Sequence, residues 1–154
     1  MIQYYKGRFR IPGISFTIPD GFYINTAPDS VADNYLCLLA PNKEYSIHIQ
    51  SLPLNTSISD ELQALLINTQ ESDTPTPITV NSLYGYHVSY KAGREQYYEL
   101  RLQYPIQAHE YGQLSLLIQC AEAIDLKQLL ESKYVRSMIT GIFPDPITQE
   151  TDQL

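Results

Sequence analysis

The amino-acid sequence predicts an α+β protein with a single antiparallel β-sheet of about six or seven strands in meander order, packed with two helices. Apolar and polar residues alternate at a period of two in five segments, which is typical of half-buried strands. Two other segments change to the helical period, one in the middle of the chain and one near its end. Since helices and strands do not alternate one for one, a doubly wound parallel sheet with a ligand crevice is disfavoured.

Length and charge limit the function before any element is assigned. The chain has 154 residues, 44% of them hydrophobic, and a formal net charge of -7. We expect one domain over residues 1–143 and a disordered tail over 144–154. The negative charge repels phosphate groups, so neither nucleic acid nor a membrane surface is an expected partner. The N-terminus has no signal-peptide pattern and no apolar run is long enough to span a membrane, so we expect a cytoplasmic protein.

The predicted strands follow from the alternation and from turn residues. Ile14 to Ile18 form a strand that ends at Pro19-Asp20-Gly21, where proline and glycine favour a tight turn. A hairpin is predicted next, and then an antiparallel meander whose connections lie at 91–94 and 105–112. The remaining predicted strands cover 35–40, 45–50, 78–83, 86–90, 98–104 and 114–120.

The first predicted helix covers 59–71, with Ser59 as its candidate cap and acidic residues in its first turn. The second covers 125–141 and begins at the candidate cap Asp125. Its apolar residues form two stripes roughly 170° apart, which one straight helix cannot direct toward one core. Either the helix kinks near Ser132-Lys133, or its first half docks on a loop or a partner chain.

No common catalytic or nucleotide-binding motif occurs in the sequence, and its two cysteines, Cys37 and Cys120, lie in apolar stretches typical of buried thiols. We therefore predict no enzyme activity, no cofactor and no metal. His48 and His87 both fall on the polar side of their predicted strands. If the sheet brought them together beside Glu99, two histidines and a carboxylate could hold a divalent metal. Arg101, two residues from Glu99, is expected on the same strand face, as a surface ion pair or a contact for a charged ligand.

Tyrosine is unusually frequent, with 13 residues against 4 phenylalanines and no tryptophan. Tyrosine buries a large ring while keeping a hydroxyl for water, so it is common at binding surfaces. Because Tyr97 and Tyr98 are neighbours on a strand, they point to opposite faces, and one of them faces away from the core. The candidate partner-binding residues are Tyr86, Tyr97, Tyr98, Tyr104, His109 and Tyr111.

The segment from Ile14 to Phe22, ISFTIPDGF, resembles the opening strand and turn of the PsbP-like, or Mog-type, fold. Two hairpins, a mid-chain helix, a strand starting at Tyr84-Gly85-Tyr86, a strand pair and a closing helix ending at 138–142 follow in the same order. The resemblance spans about residues 8 to 143. That superfamily includes photosystem extrinsic subunits, a Ran-binding protein and bacterial chaperone-like adaptors for secreted effectors. The resemblance implies protein binding without chemistry, and it is nearest to the bacterial adaptor branch.

Two hypotheses follow from the sequence. The favoured one is a non-enzymatic interaction module, an adaptor or chaperone-like protein, which offers a tyrosine-lined sheet face or an open strand edge to another protein. Self-association as a homodimer is also expected, through the half of the last helix that does not face the core. The alternative is a small-ligand or metal-binding domain on the polar sheet face around His48, His87, Glu99 and Arg101.

Overall fold

The structure is a computed structural model, which describes residues 3–5, 8–24, 35–54, 57–68, 74–107 and 109–145. These residues form two antiparallel sheets and three helices. In chain order the elements are β1 (Gln3–Tyr5), β2 (Arg8–Ile11), β3 (Gly13–Phe16), β4 (Tyr23–Ile24), β5 (Tyr35–Leu39), β6 (Tyr45–Pro53), α1 (Ile58–Asn68), β7 (Thr76–Val80), β8 (Leu83–Ala92), β9 (Glu95–Gln107), β10 (Glu110–Ala121), α2 (Leu126–Glu131), α3 (Lys133–Thr140) and β11 (Phe143–Asp145).

The α+β class and the large antiparallel sheet are confirmed. Seven strands pair in the order β4-β5-β6-β10-β9-β8-β7. The predicted meander order holds within two groups of strands, β4 to β6 and β7 to β10. It is wrong between the groups, because β6 pairs with β10 and not with β7, the next strand in the sequence. After β6 the chain passes through α1 to the far edge of the sheet, where β7 begins.

A second sheet was not predicted, so the expectation of a single sheet is wrong. It contains β1, β2, β3 and β11, each paired antiparallel with its neighbour. Its strands are only three or four residues long, and alternation in the sequence predicts only one of them, the strand that begins at Ile14. Strand β11 also uses Pro144 and Asp145, which the sequence analysis assigned to the disordered tail; residues 146–154 lie outside the described part of the chain.

The main hydrophobic core lies between the large sheet and a layer made of the small sheet, α2 and α3. The predicted alternation in β9 and β10 is confirmed, since every second side chain is buried against this layer. The buried members of the core from the sheet include Leu38, Ile47, Leu100, Leu102, Tyr104, Leu116 and Ile118, and those from the covering layer include Ile14, Phe16, Val135 and Met138.

The predicted kink in the last helix is confirmed. Helix α2 begins after Asp125, whose side chain accepts a hydrogen bond from the Gln128 amide at 3.1 Å. Ser132 interrupts the helix with an extended backbone (ψ 152°) and donates its hydroxyl to the Leu129 carbonyl at 2.6 Å. Both α2 and α3 pack on the main core. The expected homodimer required one half of the last helix to face away from the core. Because the kink lets both halves face the core, neither half of this helix meets that requirement.

The predicted strand over 78–83 is wrong, because a turn divides it. Asn81 and Ser82 both have positive φ, 49° and 68°, as the two-residue turn of a hairpin requires. The Asn81 amide donates to the carbonyls of Thr140 and Ile142 at 2.7 Å each, which ties this turn to the end of α3. The tie to α3 is a tertiary contact, which the local pattern does not reveal.

Helix α1 lies on the other side of the large sheet, away from the main core. Its cap is Ser57, whose hydroxyl accepts from the Asp60 amide at 3.2 Å, so the cap precedes the predicted Ser59 by two residues. Ile58 and Leu62 are buried against Tyr86 of β8 in a small separate cluster. The last predicted residues of this helix, 69–71, lie outside the described part of the chain.

Candidate functional site

The two faces of the large sheet are distinct environments. The core face carries the main hydrophobic core. We call the opposite one the outer face; it carries α1, and one cross-strand row on it consists of His48, Leu117, Glu99 and Val88. Cross-strand partners share a face, so strand register assigns every residue of the sheet to one side.

The predicted grouping of His48, His87 and Glu99 is wrong. His87 pairs with Leu100, a core residue, so the imidazole of His87 is on the core face, whereas His48 and Glu99 are on the outer face. Even on that face, Leu117 separates His48 from Glu99 by one strand. The alternation in β8 has the predicted period, but its larger apolar residues, Tyr86 and Val88, face outward.

Each of these histidines is held by neighbouring hydroxyl groups. His48 Nδ1 lies 2.6 Å from Tyr35 Oη, and its Nε2 lies 3.1 Å from Ser46 Oγ. His87 Nδ1 lies 2.9 Å from Tyr98 Oη. Partial burial lowers the pKa of both imidazoles below the ordinary value, which favours the neutral ring. No group of three or more histidine, cysteine or acidic residues among the described residues is placed to hold a metal ion.

The candidate tyrosines divide between the two faces. Tyr98 and Tyr104 point into the main core and are 6% and 1% exposed, so a partner has almost no access to them. Tyr97 is on the outer face, which confirms that the neighbours Tyr97 and Tyr98 point to opposite sides. Tyr86 is also on the outer face but lies under α1, with 3% exposure.

His109 and Tyr111 lie at the tip of the β9–β10 hairpin. The predicted connection over 105–112 is largely strand, since β9 extends to Gln107 and β10 begins at Glu110. His109 occupies the turn with φ 65°, and Tyr111 is 47% exposed beside a register shift in β10. Both residues are therefore accessible, but they lie outside the groove described next.

A groove of about 460 Å³ opens between α1 and the outer face, and we call it the α1 groove. Leu65 of α1 forms one wall, and Val88 and Tyr90 of β8 form the other. Pro75, in the segment leading into β7, closes one side. The remaining lining residues are Tyr86, Glu61, Glu99, Arg101 and Lys91, so an apolar and aromatic lining surrounds a small group of charges.

The charges of the α1 groove form one network. Arg101 Nε donates to Glu99 Oε1 at 2.6 Å, which confirms the predicted pairing on one strand face. Its Nη1 donates to Gln113 Oε1 at 3.1 Å and lies 3.7 Å from Glu61 Oε1. The Tyr86 hydroxyl donates to the same Glu61 oxygen at 2.7 Å. Burial and the hydrogen bond to Glu61 raise the pKa of Tyr86, so this phenol stays neutral.

A stacked tyrosine pair extends the outer face beyond the groove. The rings of Tyr90 and Tyr97 lie 5.1 Å apart at an angle of 17°. Tyr97 donates its hydroxyl to Glu95 at 3.1 Å, and Glu95 also accepts from the Gln119 amide. This part of the face is partly exposed, so the groove continues into a surface of aromatic and polar side chains.

Sequence reasoning missed the site as a unit, although it noted several of its members. Glu61 was placed only as an acidic residue in the first turn of a helix, and Tyr90 only as an apolar strand residue. Gln113 was not singled out at all. The missing information is where α1 docks, which depends on the path of the chain from β6 to β7.

Comparison by sequence matches the chain to no family model and to no curated protein. Solved structures do match its fold. It is similar to LpqN of Mycobacterium tuberculosis, a protein involved in cell envelope biogenesis (TM-score 0.59, 18% identity, covering 88% of this chain and 87% of that one). It is also similar to a protein of Bacteroides thetaiotaomicron VPI-5482 (TM-score 0.58, 9% identity, covering 94% of this chain and 49% of that one). A third similar structure is the Ran-binding protein Mog1p of Saccharomyces cerevisiae (TM-score 0.51, 11% identity, covering 84% of this chain and 89% of that one). The chain therefore shares its fold with LpqN and Mog1p, which agrees with the fold that the resemblance implied.

Proposed function

We propose that this protein is a non-enzymatic interaction module that binds another protein through the α1 groove and the adjoining outer face. The observation that carries the proposal is the groove itself, which is about 460 Å³ of open space lined by Leu65, Val88, Tyr86 and Tyr90. The hydrogen-bonded charges of Glu61, Glu99 and Arg101 form what we call its floor. Aromatic residues and arginine are enriched where proteins bind one another. As the sequence predicts, we propose that it acts as an adaptor or chaperone-like protein in the cytoplasm.

The chemistry of the floor favours binding over catalysis. The carboxylates of Glu61 and Glu99 are both engaged with Arg101, and the Tyr86 phenol is held neutral by its environment. A general base needs an accessible lone pair and a pKa near the working pH, and a nucleophile needs an activating base beside it. None of the described residues that line the groove is a histidine, cysteine or serine.

The fold comparison supports protein binding in a general way. One of the similar structures, Mog1p, is a Ran-binding protein, and it shares this architecture at 11% identity. At that identity the likeness concerns the fold, and function has to be argued from the site. The chemistry of the partner therefore has to be inferred from the residues of the groove.

A small-ligand function is the second candidate, because the groove volume falls in the range of about 300–1,000 Å³ common for small-molecule sites. This version places the ligand beside Glu61, Glu99 and Arg101, without the two histidines of the sequence-based alternative.

Photo-crosslinking tests the proposed function. A benzophenone amino acid is placed at Leu65, which lines the groove, and at Leu66, its neighbour on α1, which is equally exposed (38% and 37%) but is not part of the lining. We expect a protein to be crosslinked from Leu65 and not from Leu66. The captured protein is then purified and titrated against Leu65→Asp and Leu66→Asp variants.

Loss of binding in Leu65→Asp alone supports the proposal, because the two substitutions carry the same charge at similar exposure. Equal binding by both variants, or capture from Leu66 only, contradicts it. Capture of a second copy of this chain from Leu65 would indicate a homodimer interface in place of an adaptor surface.

A further inference from the structure

The floor of the α1 groove has more hydrogen-bond acceptors than donors. Among the residues that the structure describes, Arg101 is the one cation on the floor, and its guanidinium is already engaged by Glu99 at 2.6 Å and Gln113 at 3.1 Å. Glu61 approaches the same guanidinium at 3.7 Å. An incoming anion would have to displace these acceptors from Arg101.

The two carboxylates retain capacity to accept. Each ionised carboxylate offers about four lone-pair positions. Within the described residues, Glu99 accepts through Oε1 from Arg101, and Glu61 accepts from Tyr86 at 2.7 Å and from Gln113 at a long 3.4 Å. Two carboxylates against one guanidinium leave the floor with a formal charge of −1. The group that fits this floor is a cation with several N–H donors.

The rim of the groove does not cancel this preference. Lys91 also lines the groove, but it is exposed at the edge of β8, where water and salt screen its charge. The side chains of Glu61, Glu99 and Arg101 are only 26%, 20% and 25% exposed. Charges in such partly buried positions interact more strongly with a bound group than exposed charges do.

The walls of the groove select among cations. The aliphatic side chains of Leu65 and Val88 can cover a methylene stem, and the ring of Tyr90 offers an aromatic surface. Arginine combines such a stem with a planar guanidinium that donates in pairs to carboxylates and stacks on aromatic rings. The lysine ammonium has neither the planar shape nor the paired donors.

On the basis of the proposed function, we propose that the partner protein inserts an arginine side chain into the α1 groove, with its guanidinium donating to Glu61 and Glu99 beside Tyr90. The net charge of -7 on this chain would steer a basic partner surface toward it. The partner is therefore a protein with an accessible arginine in a basic segment.

A pair of short peptides tests this inference independently of partner capture. The probes are acetyl-Gly-Arg-Gly-amide and acetyl-Gly-citrulline-Gly-amide, which differ only in the charge and donor count of one planar group. We expect the arginine peptide to shift the backbone NMR signals of Val88 and Tyr90. Its affinity should exceed that of the citrulline peptide about tenfold, because a hydrogen bond between two charged groups contributes at least that much to binding.

Carboxylate variants locate the binding. Glu99→Gln is expected to weaken the arginine peptide about tenfold and to leave the citrulline peptide unchanged. Glu61→Gln is the second variant, used if Glu99→Gln lowers the melting temperature. Glu131→Gln is the matched control, because it removes the same charge from an exposed position on α2.

Equal affinity for the two peptides, or equal weakening by Glu99→Gln and Glu131→Gln, would contradict the inference. Equal affinity for acetyl-Gly-Lys-Gly-amide and the arginine peptide would also contradict it, since the planar guanidinium would then have no advantage over an ammonium group. If the crosslinker at position 65 captures a partner but the two peptides bind with equal affinity, only the arginine inference fails. If the arginine peptide binds more tightly than the citrulline peptide but the crosslinker at position 65 captures no protein, the proposed function fails.

Discussion

The hydroxyl of Tyr86 on β8 donates to the carboxylate of Glu61 on α1, with 2.7 Å between the two oxygens. Around this bond the apolar contact is small, since among the described residues the cluster beneath α1 consists of Ile58, Leu62 and the Tyr86 ring, with Leu54 packed against it. The Ile58 amide also donates to Gln103 Oε1 at 3.1 Å, so the Tyr86–Glu61 bond is one of the polar contacts that hold α1 on the outer face. The width of the α1 groove depends on that attachment.

Tyr86→Phe should loosen α1 while the rest of the fold stays intact. The substitution keeps the ring in the apolar cluster and removes the donor to Glu61, so we expect a loss of about 1–2 kcal/mol in the free energy of unfolding. Amide exchange should accelerate in α1 and remain slow in β9 and β10. Tyr84→Phe is the control, because Tyr84 lies on the same strand at 39% exposure. Equal exchange in the two variants would show that the bond does not hold α1.

Gly112→Ala should destabilise the main core through Tyr104. A Cβ at position 112 would lie 2.7 Å from both Cζ and Oη of Tyr104, whose hydroxyl is also bonded to Ser51 at 2.5 Å. Crowding a buried ring in this way costs about 1–3 kcal/mol, which urea unfolding would measure. Tyr104→Leu removes the clashing atoms, so the double variant should be more stable than the sum of the two single changes implies. If the two losses in the free energy of unfolding were additive, contact with Tyr104 would not be the reason that Gly112→Ala destabilises the protein.

The parts of the fold that local pattern could predict are those in which one face of a strand is buried. The alternation of β9 and β10 and the opposed stripes around Ser132 express burial on one side, and the structure confirms both. The alternation from Ile14 to Ile18 predicts β3, in which Ser15 is buried as well, but its partner strands come from short segments for which the sequence predicts no strand, so the small sheet escaped prediction. Its strands come from the two ends of the described chain, and the pairing of β3 with β11 is set by tertiary contacts.

The candidate site shows the same limit. In β8 the side with the larger apolar residues, Tyr86 and Val88, faces α1, while His87 faces the core side. A rule that directs apolar residues to the core therefore assigns this strand to the wrong face, because both sides of β8 are partly covered. The pairing of Glu99 with Arg101 was predictable, since residues two apart on a strand share a face. Their joint contact with Glu61 required knowing where α1 docks.

Gln96→Leu should destabilise the turn between β10 and α2. Gln96 is 7% exposed, and its Nε2 donates to the carbonyls of Ala121 at 3.0 Å and Glu122 at 3.2 Å. Leucine fills the space but leaves these carbonyls without that donor, which costs about 1–3 kcal/mol in the free energy of unfolding. Gln128→Leu, an exposed change on α2, should have little effect in the same urea titration. Equal midpoints for the two variants would contradict a structural role for Gln96.

Acidification should weaken the fold through His48 and His87. Desolvation lowers the pKa of both imidazoles below 6.5, the ordinary value, so the unfolded chain takes up protons at a higher pH than the folded chain does. The resulting stabilisation is fully present above pH 6.5 and is lost as the pH falls below it toward the folded-state pKa values. Urea unfolding between about pH 7.5 and 5.5 should therefore give a smaller decline for the double variant His48→Gln, His87→Gln than for the wild type. His109→Asn, at the exposed hairpin turn, controls for the loss of an imidazole and should decline as the wild type does. A double variant that declines as steeply as the wild type would assign the acid sensitivity to the carboxylates.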